Sequence, residues 1–257
     1  MFDRGMTSTG FDRCDAVQND AATLLSATDL GVTMSGKELL DIPFLKIVAG
    51  EPTAIMGPNG AGKSLLLRLL HGLSQPSRGT IRMHGEPLNT KLCRRQAMVF
   101  QSPIILRRSV YANVEFALAS HKVPRRLRKE RVHQFLVRAG LADKWRQSAR
   151  SLSGGEQQKL AVVRALATEP EILFLDEPTS NLDPGSVQSI EVLLQEASAT
   201  GTKIVLVTHD LSQAQRLGHE VMFLHQGRIT EQTPIRRFAS SPASPEAARY
   251  LAGELLV

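Results

Sequence analysis

GPNGAGKS, at residues 57–64, matches the pattern GxxxxGK[ST] and lies between an apolar run, Thr53–Met56, and a leucine-rich run, Lys63–Leu70. Its members are Gly57, Pro58, Asn59, Gly60, Ala61, Gly62, Lys63 and Ser64. Glycines let the backbone fold closely around an oxyanion, with N–H groups pointing inward at the start of a helix. A strand before the pattern and a helix after it are the context that supports nucleotide binding. The stretch therefore predicts a phosphate loop, with Lys63 on the β and γ phosphates of ATP and the Ser64 hydroxyl on Mg²⁺.

Strand-like and helix-like runs alternate around this stretch, which is typical of a mainly parallel sheet with crossover helices. The predicted strands are Thr53–Met56, Thr80–Met83, Met98–Phe100, Ile172–Leu175 and Ile204–Thr208. The predicted helices are Lys63–Leu70, Glu156–Thr168 and Gly185–Ser198, and the predicted closing hairpin joins Val221–Leu224 to Arg228–Thr230. From Ser102 to about Arg150 the β character gives way to charge-rich helical sequence, which predicts a helical lobe inserted into the core.

Length and composition fit one α/β domain with a sizeable core. The chain has 257 residues, of which 42% are hydrophobic and 22% charged, the balance of an ordinary globular protein. No stretch approaches the roughly 20 apolar residues that a membrane-spanning helix needs. Residues 1–23 lack the apolar run of a secretory signal and are predicted to be a disordered extension. Because Cys14 and Cys93 are the only thiols, a reducing cytoplasm is the expected compartment.

The net charge of +6 is concentrated in one segment. Between Arg107 and Arg131 there are eight basic and two acidic residues. One interpretation is a solvated helix face. Another is a surface that meets anionic lipid or an acidic partner, since each basic residue near such a membrane contributes about 1 kcal/mol. Nucleic acid is not an expected partner, because no aromatic residues interleave these charges to stack on bases.

The second pattern is ILFLDEP at residues 172–178, which places two adjacent acids at the end of an apolar strand. Ligands bind at the carboxyl ends of strands in open α/β sheets. Asp176 is therefore predicted to hold Mg²⁺, directly or through water. Glu177, which points the other way, is predicted to polarise the water that attacks the γ-phosphate. An acidic pair after a strand is uninformative alone and gains its meaning from the phosphate loop upstream.

The third pattern is LSGGEQ at residues 152–157, which matches the signature LSGGxQ. With it, the chain resembles the ATPase subunits of ATP-binding-cassette (ABC) transporters from about Leu24 to Val257. Ser153 is suited to cap a helix, and Gly154 and Gly155 would expose backbone donors at its start. The resemblance implies that this signature closes over ATP held by a second copy. Two ATP molecules would then lie within a head-to-tail homodimer, which C2 symmetry closes.

The resemblance also implies an architecture and further residue roles. The expected fold is an α/β P-loop NTPase of ABC type over residues 24–257, with a mainly parallel core, an antiparallel β subdomain and a helical lobe at about residues 102–152. Gln101 matches the glutamine that senses Mg²⁺ and the attacking water, and Asp183 an aspartate that crosses the dimer interface. His209 matches the switch histidine that contacts the γ-phosphate. Catalysis is thus assigned to Glu177, His209, Gln101 and Lys63.

Two positions depart from the family pattern. Met34 stands where the family usually has an aromatic residue that stacks on adenine, a contact worth roughly 1–3 kcal/mol of which a thioether recovers only part. Leu65 stands where the family commonly has a threonine whose hydroxyl bonds the α-phosphate, a hydrogen bond of about 1.5–3 kcal/mol. Together they predict ATP binding weakened by about tens-fold, with the hydrolytic groups unaffected.

Three classes of ABC protein are compatible with a cassette of this kind. They are transporter subunits, DNA-repair or chromosome-maintenance ATPases, and translation-associated ATPases. The stretch between Lys63 and Ser153 is too short for the long coiled coil of the second class. The third class carries two cassettes, and this chain has one. The transporter class is therefore predicted, at the cytoplasmic face of the membrane and bound to separate permease subunits.

The direction and cargo of transport are predicted from two further runs. Phe100–Val110 and Tyr250–Leu256 are similar to the ATPase subunits of bacterial tungstate, molybdate and phosphate importers. Tungstate import, with a secreted solute-binding protein, is the prediction, and export of lipid or lipoprotein is the alternative. The permease's coupling helix is expected to dock near Gln101. The expected contacts are Arg107, Arg108 and Tyr111.

Overall fold

The computed structural model describes residues 23–254. Cys14, almost all of the predicted extension over residues 1–23 and the end of Tyr250–Leu256 lie outside them. The strands are β1 (Thr23–Met34), β2 (Lys37–Val48), β3 (Thr53–Met56), β4 (Arg78–Met83), β5 (Glu86–Pro87), β6 (Gln96–Val99), β7 (Ile172–Asp176), β8 (Lys203–Val207), β9 (Glu220–His225) and β10 (Arg228–Pro234). The helices are α1 (Lys63–His71), α2 (Thr90–Cys93), α3 (Val110–Ser120), α4 (Arg125–Arg138), α5 (Gly154–Leu166), α6 (Pro184–Ala199), α7 (Leu211–Leu217), α8 (Ile235–Ser240) and α9 (Pro245–Leu251).

The core sheet has six strands in the order β10-β9-β3-β8-β7-β6. Its strands from β9 to β6 run parallel, and β10 pairs antiparallel with β9, so the predicted parallel core and closing hairpin are confirmed. Parallel strands end at the same edge of a sheet. The segments that follow β3, β6, β7 and β8 therefore meet at one edge, and each of them carries a predicted site residue.

Side-chain alternation along the core strands divides the interior into two main layers. In β7, Ile172 and Phe174 face the layer that contains α1, whereas Leu173 and Leu175 face the layer that contains α3, α5 and α6. All four side chains are buried, as expected of a strand covered on both faces. The core strands thus read as continuous apolar runs.

Helix α1 is enclosed between the core sheet and a second sheet. Leu66, Leu67, Leu69 and Leu70 are completely buried, which confirms the predicted central helix. It ends at Gly72, whose φ of 85° lies in the left-handed region and whose N–H bonds back to the helix, a common glycine C-cap.

The second sheet is antiparallel, in the order β2-β1-β4-β5, and confirms the expected antiparallel β subdomain. The strands predicted from the sequence do not include β1 and β2. Their pattern does not alternate cleanly, because Asp29 adopts a φ of 50° and the β1–β2 register shifts between Val32 and Thr33.

Helices α3, α4 and α5 lie between β6 and β7 in the chain. Val114 and Leu118 of α3 and Val132 and Leu136 of α4 belong to one buried cluster. Helix α5 begins at Gly154, two residues before the predicted start, because Ser153 caps it. Within residues 23–254, no helix is long and apolar enough to cross a membrane.

Candidate active site

The phosphate loop adopts backbone conformations that its glycines make possible. Gly57 has a φ of 146°, and a Cβ there would stand 2.0 Å from the carbonyl oxygen of Leu224. Gly62, with a φ of 102°, precedes the first residue of α1. A side chain at either position would be strained by its backbone, so the loop requires these glycines.

Lys63 lies inside the loop. Its Nζ donates to the carbonyl oxygens of Gly57 at 2.8 Å and Pro58 at 2.9 Å. Burial lowers the pKa of Lys63, and the charges of Glu177 and Asp176 oppose that shift. The amine is thus held between the loop and the two acids that end β7.

Ser64 and Asp176 are in direct contact. The Ser64 hydroxyl donates to Oδ1 of Asp176 at 2.9 Å. Burial raises the pKa of Asp176, an effect that the hydrogen bond from Ser64 opposes. A hydroxyl and a carboxylate are oxygen donors of the kind that Mg²⁺ prefers, so the predicted metal residues Ser64 and Asp176 fit this ion.

Gln101 and His209 both approach one oxygen of Glu177. Gln101 Nε2 lies 3.3 Å from Glu177 Oε2 and 3.3 Å from Ser180 Oγ. His209 Nδ1 lies 3.3 Å from the same Oε2. Glu177 has a φ of 45°, which is uncommon for a residue other than glycine. The structure thus brings together the four sheet-edge segments that the sequence identified separately.

The signature residues form a second group, at the adjacent starts of α5 and α6. Ser153 Oγ accepts from the Glu156 N–H at 3.3 Å, and Glu156 Oε2 accepts from the Ser153 N–H at 3.0 Å. This reciprocal capping box confirms Ser153 as the N-cap of α5. Gly154 is exposed at the start of the same helix, as predicted.

Gly155 differs from the prediction, because it is buried rather than exposed. A Cβ at Gly155 would stand 2.2 Å from Ser186 Oγ on α6. Its role in the described structure is close packing of the two helix starts. Asp183 caps α6 by accepting from the Ser186 N–H at 2.9 Å, and hydrogen bonds from Ser186 lower the pKa of this carboxyl.

The family model described as ABC transporter matches residues 40–180, more than half of the chain. The chain belongs to the ABC transporter family. It is an ATPase subunit, which hydrolyses ATP to drive transport.

Curated relatives of this ABC ATPase are similar along most of their length. Phosphate import ATP-binding protein PstB 2 of Natronomonas pharaonis is 38% identical over 86% of this chain and 84% of its own. Phosphate import ATP-binding protein PstB of Thermotoga maritima is 38% identical over 82% of this chain and 90% of its own. Methionine import ATP-binding protein MetN of Pasteurella multocida is 35% identical over 85% of this chain and 67% of its own.

A solved structure supports the same assignment of fold. CbiO1 from Clostridium perfringens, described as part of the ABC transporter complex CbiONQ, aligns with a TM-score of 0.78 and 32% identity. The alignment covers 86% of this chain and 92% of that one. The ABC-type fold is therefore established for this subunit.

The two positions that depart from the family pattern occupy different surroundings. Met34 lies at the exposed tip of the β1–β2 hairpin, opposite Lys37, with 63% of its surface accessible. Leu65 is half-buried and packs against the layer around α1. Ser180, which accepts from Gln101, was not among the predicted site residues, because only Asp183 of the run Ser180–Asp183 was assigned a role from the resemblance.

Proposed function

We propose that the phosphate loop and the acids after β7 bind Mg²⁺-ATP and that Glu177 is the general base of its hydrolysis. The observation that carries this proposal is the convergence of Gln101 and His209 on Oε2 of Glu177. Glu177 accepts the proton of the attacking water, a role that contributes typically 10²–10⁴-fold in rate. Its two neighbours fix the direction in which the carboxylate points.

The phosphates and the metal are assigned to the residues beside Glu177. Lys63 supplies the positive charge for the β and γ phosphates. Ser64 and Asp176 hold Mg²⁺, which neutralises charge on the phosphates when bound. Gln101 is close enough to Glu177 to orient the water and to sense the metal. His209, whose Nδ1 lies 3.3 Å from the same Oε2 of Glu177, contacts the γ-phosphate in this proposal.

Two copies of the chain share each ATP in this proposal. The exposed start of α5 at Ser153 and Gly154 is an anion-binding helix N-terminus for the phosphates held by the partner's loop, and Asp183 lies at the interface. A C2 pair buries both sites together. Hydrolysis per mole of chain should therefore rise with chain concentration at saturating Mg²⁺-ATP, and a rate independent of concentration down to high dilution would contradict the shared site.

A bulky side chain at the signature tests the same point. Ser153→Arg should stop hydrolysis while the monomer still binds ATP. Because this change also removes a helix cap, Ser244→Ala is the matched control: Ser244 caps α9 by accepting from the Ala247 N–H at 3.1 Å. Ser244→Ala should lose about 1 kcal/mol of stability and retain hydrolysis. Loss of ATP binding in monomeric Ser153→Arg would show that one copy holds the whole site.

The proposed transport is import of an oxyanion at the cytoplasmic face of the membrane, with a permease and a secreted solute-binding protein. The relatives named above are import ATPases, and two of them act on phosphate by name. Within this class, tungstate is the proposed cargo; the support is the similarity of Phe100–Val110 and Tyr250–Leu256 to the tungstate, molybdate and phosphate importers as a group. A neighbouring gene for a secreted solute-binding protein would support import, since exporters need none.

Uptake measurements separate the cargoes. Cells that carry the intact transporter are compared with cells in which this chain bears Glu177→Gln, using tungstate, molybdate, phosphate and methionine. Selective loss of tungstate uptake is the expected result. Loss of phosphate uptake alone would keep the oxyanion class and overturn tungstate, whereas loss of methionine uptake alone would overturn the class.

The proposed docking surface for the permease is an arginine-lined pocket beside α3. Its lining residues are Arg107, Arg108, Ser109, Arg146, Ser148 and Arg150. Two of the guanidinium groups are held over aromatic rings: Arg108 lies 5.0 Å from the centre of Phe116, and Arg146 lies 4.4 Å from that of Trp145. Within the described residues, no ion pair involves any of the four arginines. An acidic cytoplasmic segment complements this charge.

The pocket lies where two site-bearing segments are hydrogen-bonded to each other. Ala149 N–H donates to the Arg108 carbonyl at 2.9 Å, and Val110 N–H to that of Gln147 at 3.0 Å. One segment leads back to Gln101 and the other leads on to Ser153. Arg150→Glu should reduce co-purification with the permease by about tenfold or more and spare ATP hydrolysis by the isolated chain. Arg125→Glu, at an exposed position of α4, should leave co-purification unchanged. Unchanged co-purification of Arg150→Glu would overturn this surface.

A further inference from the structure

A buried hydrogen-bond chain joins α7, α6 and the turn that follows Glu177. Gln213 Nε2 on α7 donates to Thr179 Oγ1 at 2.7 Å and lies 3.3 Å from Glu191 Oε1 on α6. Arg216, one turn further along α7, donates to both oxygens of Glu191 at 2.7 and 2.9 Å. Gln213 is 2% exposed and Glu191 is 8% exposed. These hydrogen bonds thus connect Thr179 to α6 and α7, two helices that carry none of the reacting groups.

The side chains in this series of hydrogen bonds restrict one another's positions. A buried carboxylate is costly unless it is paired and hydrogen-bonded, and the bidentate contact with Arg216 supplies this pairing in a fixed geometry. The Gln213 backbone is also held, since its N–H donates to Asp210 Oδ1 at 3.2 Å in the capped first turn of α7. The backbone that carries the Gln213 side chain is therefore fixed, and its amide donates to Thr179 from a defined position.

The turn held by Thr179 controls the position of Glu177. The Glu177 carbonyl accepts from the N–H of Ser180 at 3.3 Å and from its hydroxyl at 3.1 Å, which closes the turn around Thr179. The φ of 45° at Glu177 is a conformation that persists only when the surroundings enforce it. The hydrogen bond from Gln213 to Thr179 is one such constraint on the turn.

We propose that Gln213 and Thr179 form a positioning pair for Glu177, and that the pair keeps Oε2 of Glu177 within reach of Gln101 and His209. This inference rests on the proposed role of Glu177 as general base. Helix α7, which carries Gln213, begins only two residues after His209. One short segment therefore positions both His209 and the side chain that holds Thr179. A shift of α7 relative to α6 would therefore move the histidine and the turn of Glu177 together.

The main test is Thr179→Val, which removes the Thr179 hydroxyl and keeps the volume of the side chain. Thr179→Val eliminates the acceptor of Gln213, Thr179→Ser keeps it, and Gln213→Met removes the donor. We expect kcat for ATP to fall about tenfold in Thr179→Val and in Gln213→Met, with KM within twofold of the parent, because neither residue is assigned to the phosphates. Thr179→Ser should restore kcat to within twofold.

Two controls separate positioning from general destabilisation. Thr202→Val removes a hydroxyl that donates to the Pro170 carbonyl at 3.1 Å, so it should change the melting temperature as Thr179→Val does and leave kcat unchanged. In the double variant Thr179→Val/Gln213→Met, kcat should equal that of the slower single variant, since each change already breaks the hydrogen bond between Gln213 and Thr179.

The outcomes distinguish this inference from the proposed function. Parent-like kcat in folded Thr179→Val or Gln213→Met, or losses that multiply in the double variant, would overturn the positioning pair. Gln213→Met carries the test even where Thr179→Val does not fold. Glu177→Gln is measured in parallel: if it hydrolyses ATP at the parent rate, the proposed function fails, whereas if it is inactive and Thr179→Val is not impaired, only the pair fails.

Discussion

The Ser64 hydroxyl donates a 2.9 Å hydrogen bond to Oδ1 of Asp176, although 112 positions separate the two residues in the chain. This contact joins the start of α1 to the end of β7 at the sheet edge. Asp176 is 6% exposed, and its burial raises the pKa of the carboxyl. Burial therefore disfavours the ionised form of this carboxyl in the protein without a bound cation, which gives a stability prediction.

Asp176→Asn should raise the melting temperature of the nucleotide-free protein at neutral pH and abolish Mg²⁺-dependent hydrolysis. Because the folded-state pKa of Asp176 lies above the ordinary value of 3.8, the native protein loses stability as the pH rises from that value through the folded pKa. Asparagine carries no charge and still accepts from Ser64. Each 1 kcal/mol gained should add about 2–4 °C, measured by thermal unfolding across this pH range.

Asp183→Asn is the control, because its effect on the melting temperature should be opposite to that of Asp176→Asn. Hydrogen bonds from Ser186 lower the folded-state pKa of Asp183, so its contribution is present above the ordinary pKa and is lost as the pH falls through the lowered one. Asparagine also caps helices well, yet this variant should be less stable than the parent at neutral pH. A lower melting temperature in Asp176→Asn at neutral pH would contradict the raised pKa of Asp176 in the folded protein.

Glu177→Gln should retain ATP binding, reduce hydrolysis by about 100-fold or more, and trap a closed dimer. The amide keeps the size of the side chain and accepts no proton from water. Gel filtration with Mg²⁺-ATP should show a dimer that the parent protein forms only transiently. Hydrolysis at the parent rate, measured by phosphate release, would remove Glu177 from its proposed role.

Much of this architecture was predictable because its decisive signals are local. The phosphate loop, LSGGEQ and the strand of Asp176 are each contiguous, and the parallel sheet brings the phosphate loop and Asp176 to one edge. The β1–β2 hairpin was missed because the positive φ at Asp29 and a register shift interrupt its alternation. The packing of Gly155 on Ser186 and the bond from Gln213 to Thr179 join distant positions, and no spacing rule marks either pair.

Gly155→Ala should destabilise the protein by about 1–3 kcal/mol, the usual range for overpacking. The added Cβ would lie 2.2 Å from Ser186 Oγ and 2.8 Å from Ser186 Cβ, so the starts of α5 and α6 must move apart. Thermal unfolding and phosphate release measure the change, and hydrolysis should fall because Ser153 moves with α5.

Gly154→Ala is the matched control, since a Cβ there meets nothing within 4 Å. It should leave stability within about 0.5 kcal/mol of the parent. Ser186→Gly removes the obstructing side chain and should restore part of the stability lost in Gly155→Ala. If both alanine variants unfold at the same temperature, close packing at Gly155 is not what holds the two helices together.

Met34→Tyr should tighten ATP binding by about tenfold, because an aromatic face stacks on adenine for roughly 1–3 kcal/mol and a thioether recovers only part of it. Met34 is 63% exposed at the hairpin tip, so a larger ring fits without repacking. Titration with ATP and with inorganic triphosphate separates the causes: only ATP should gain affinity. Leu73→Tyr, at a position that is 54% exposed, controls for an added ring elsewhere on the surface. An equal gain for inorganic triphosphate, or none for ATP, would show that the base does not lie over Met34.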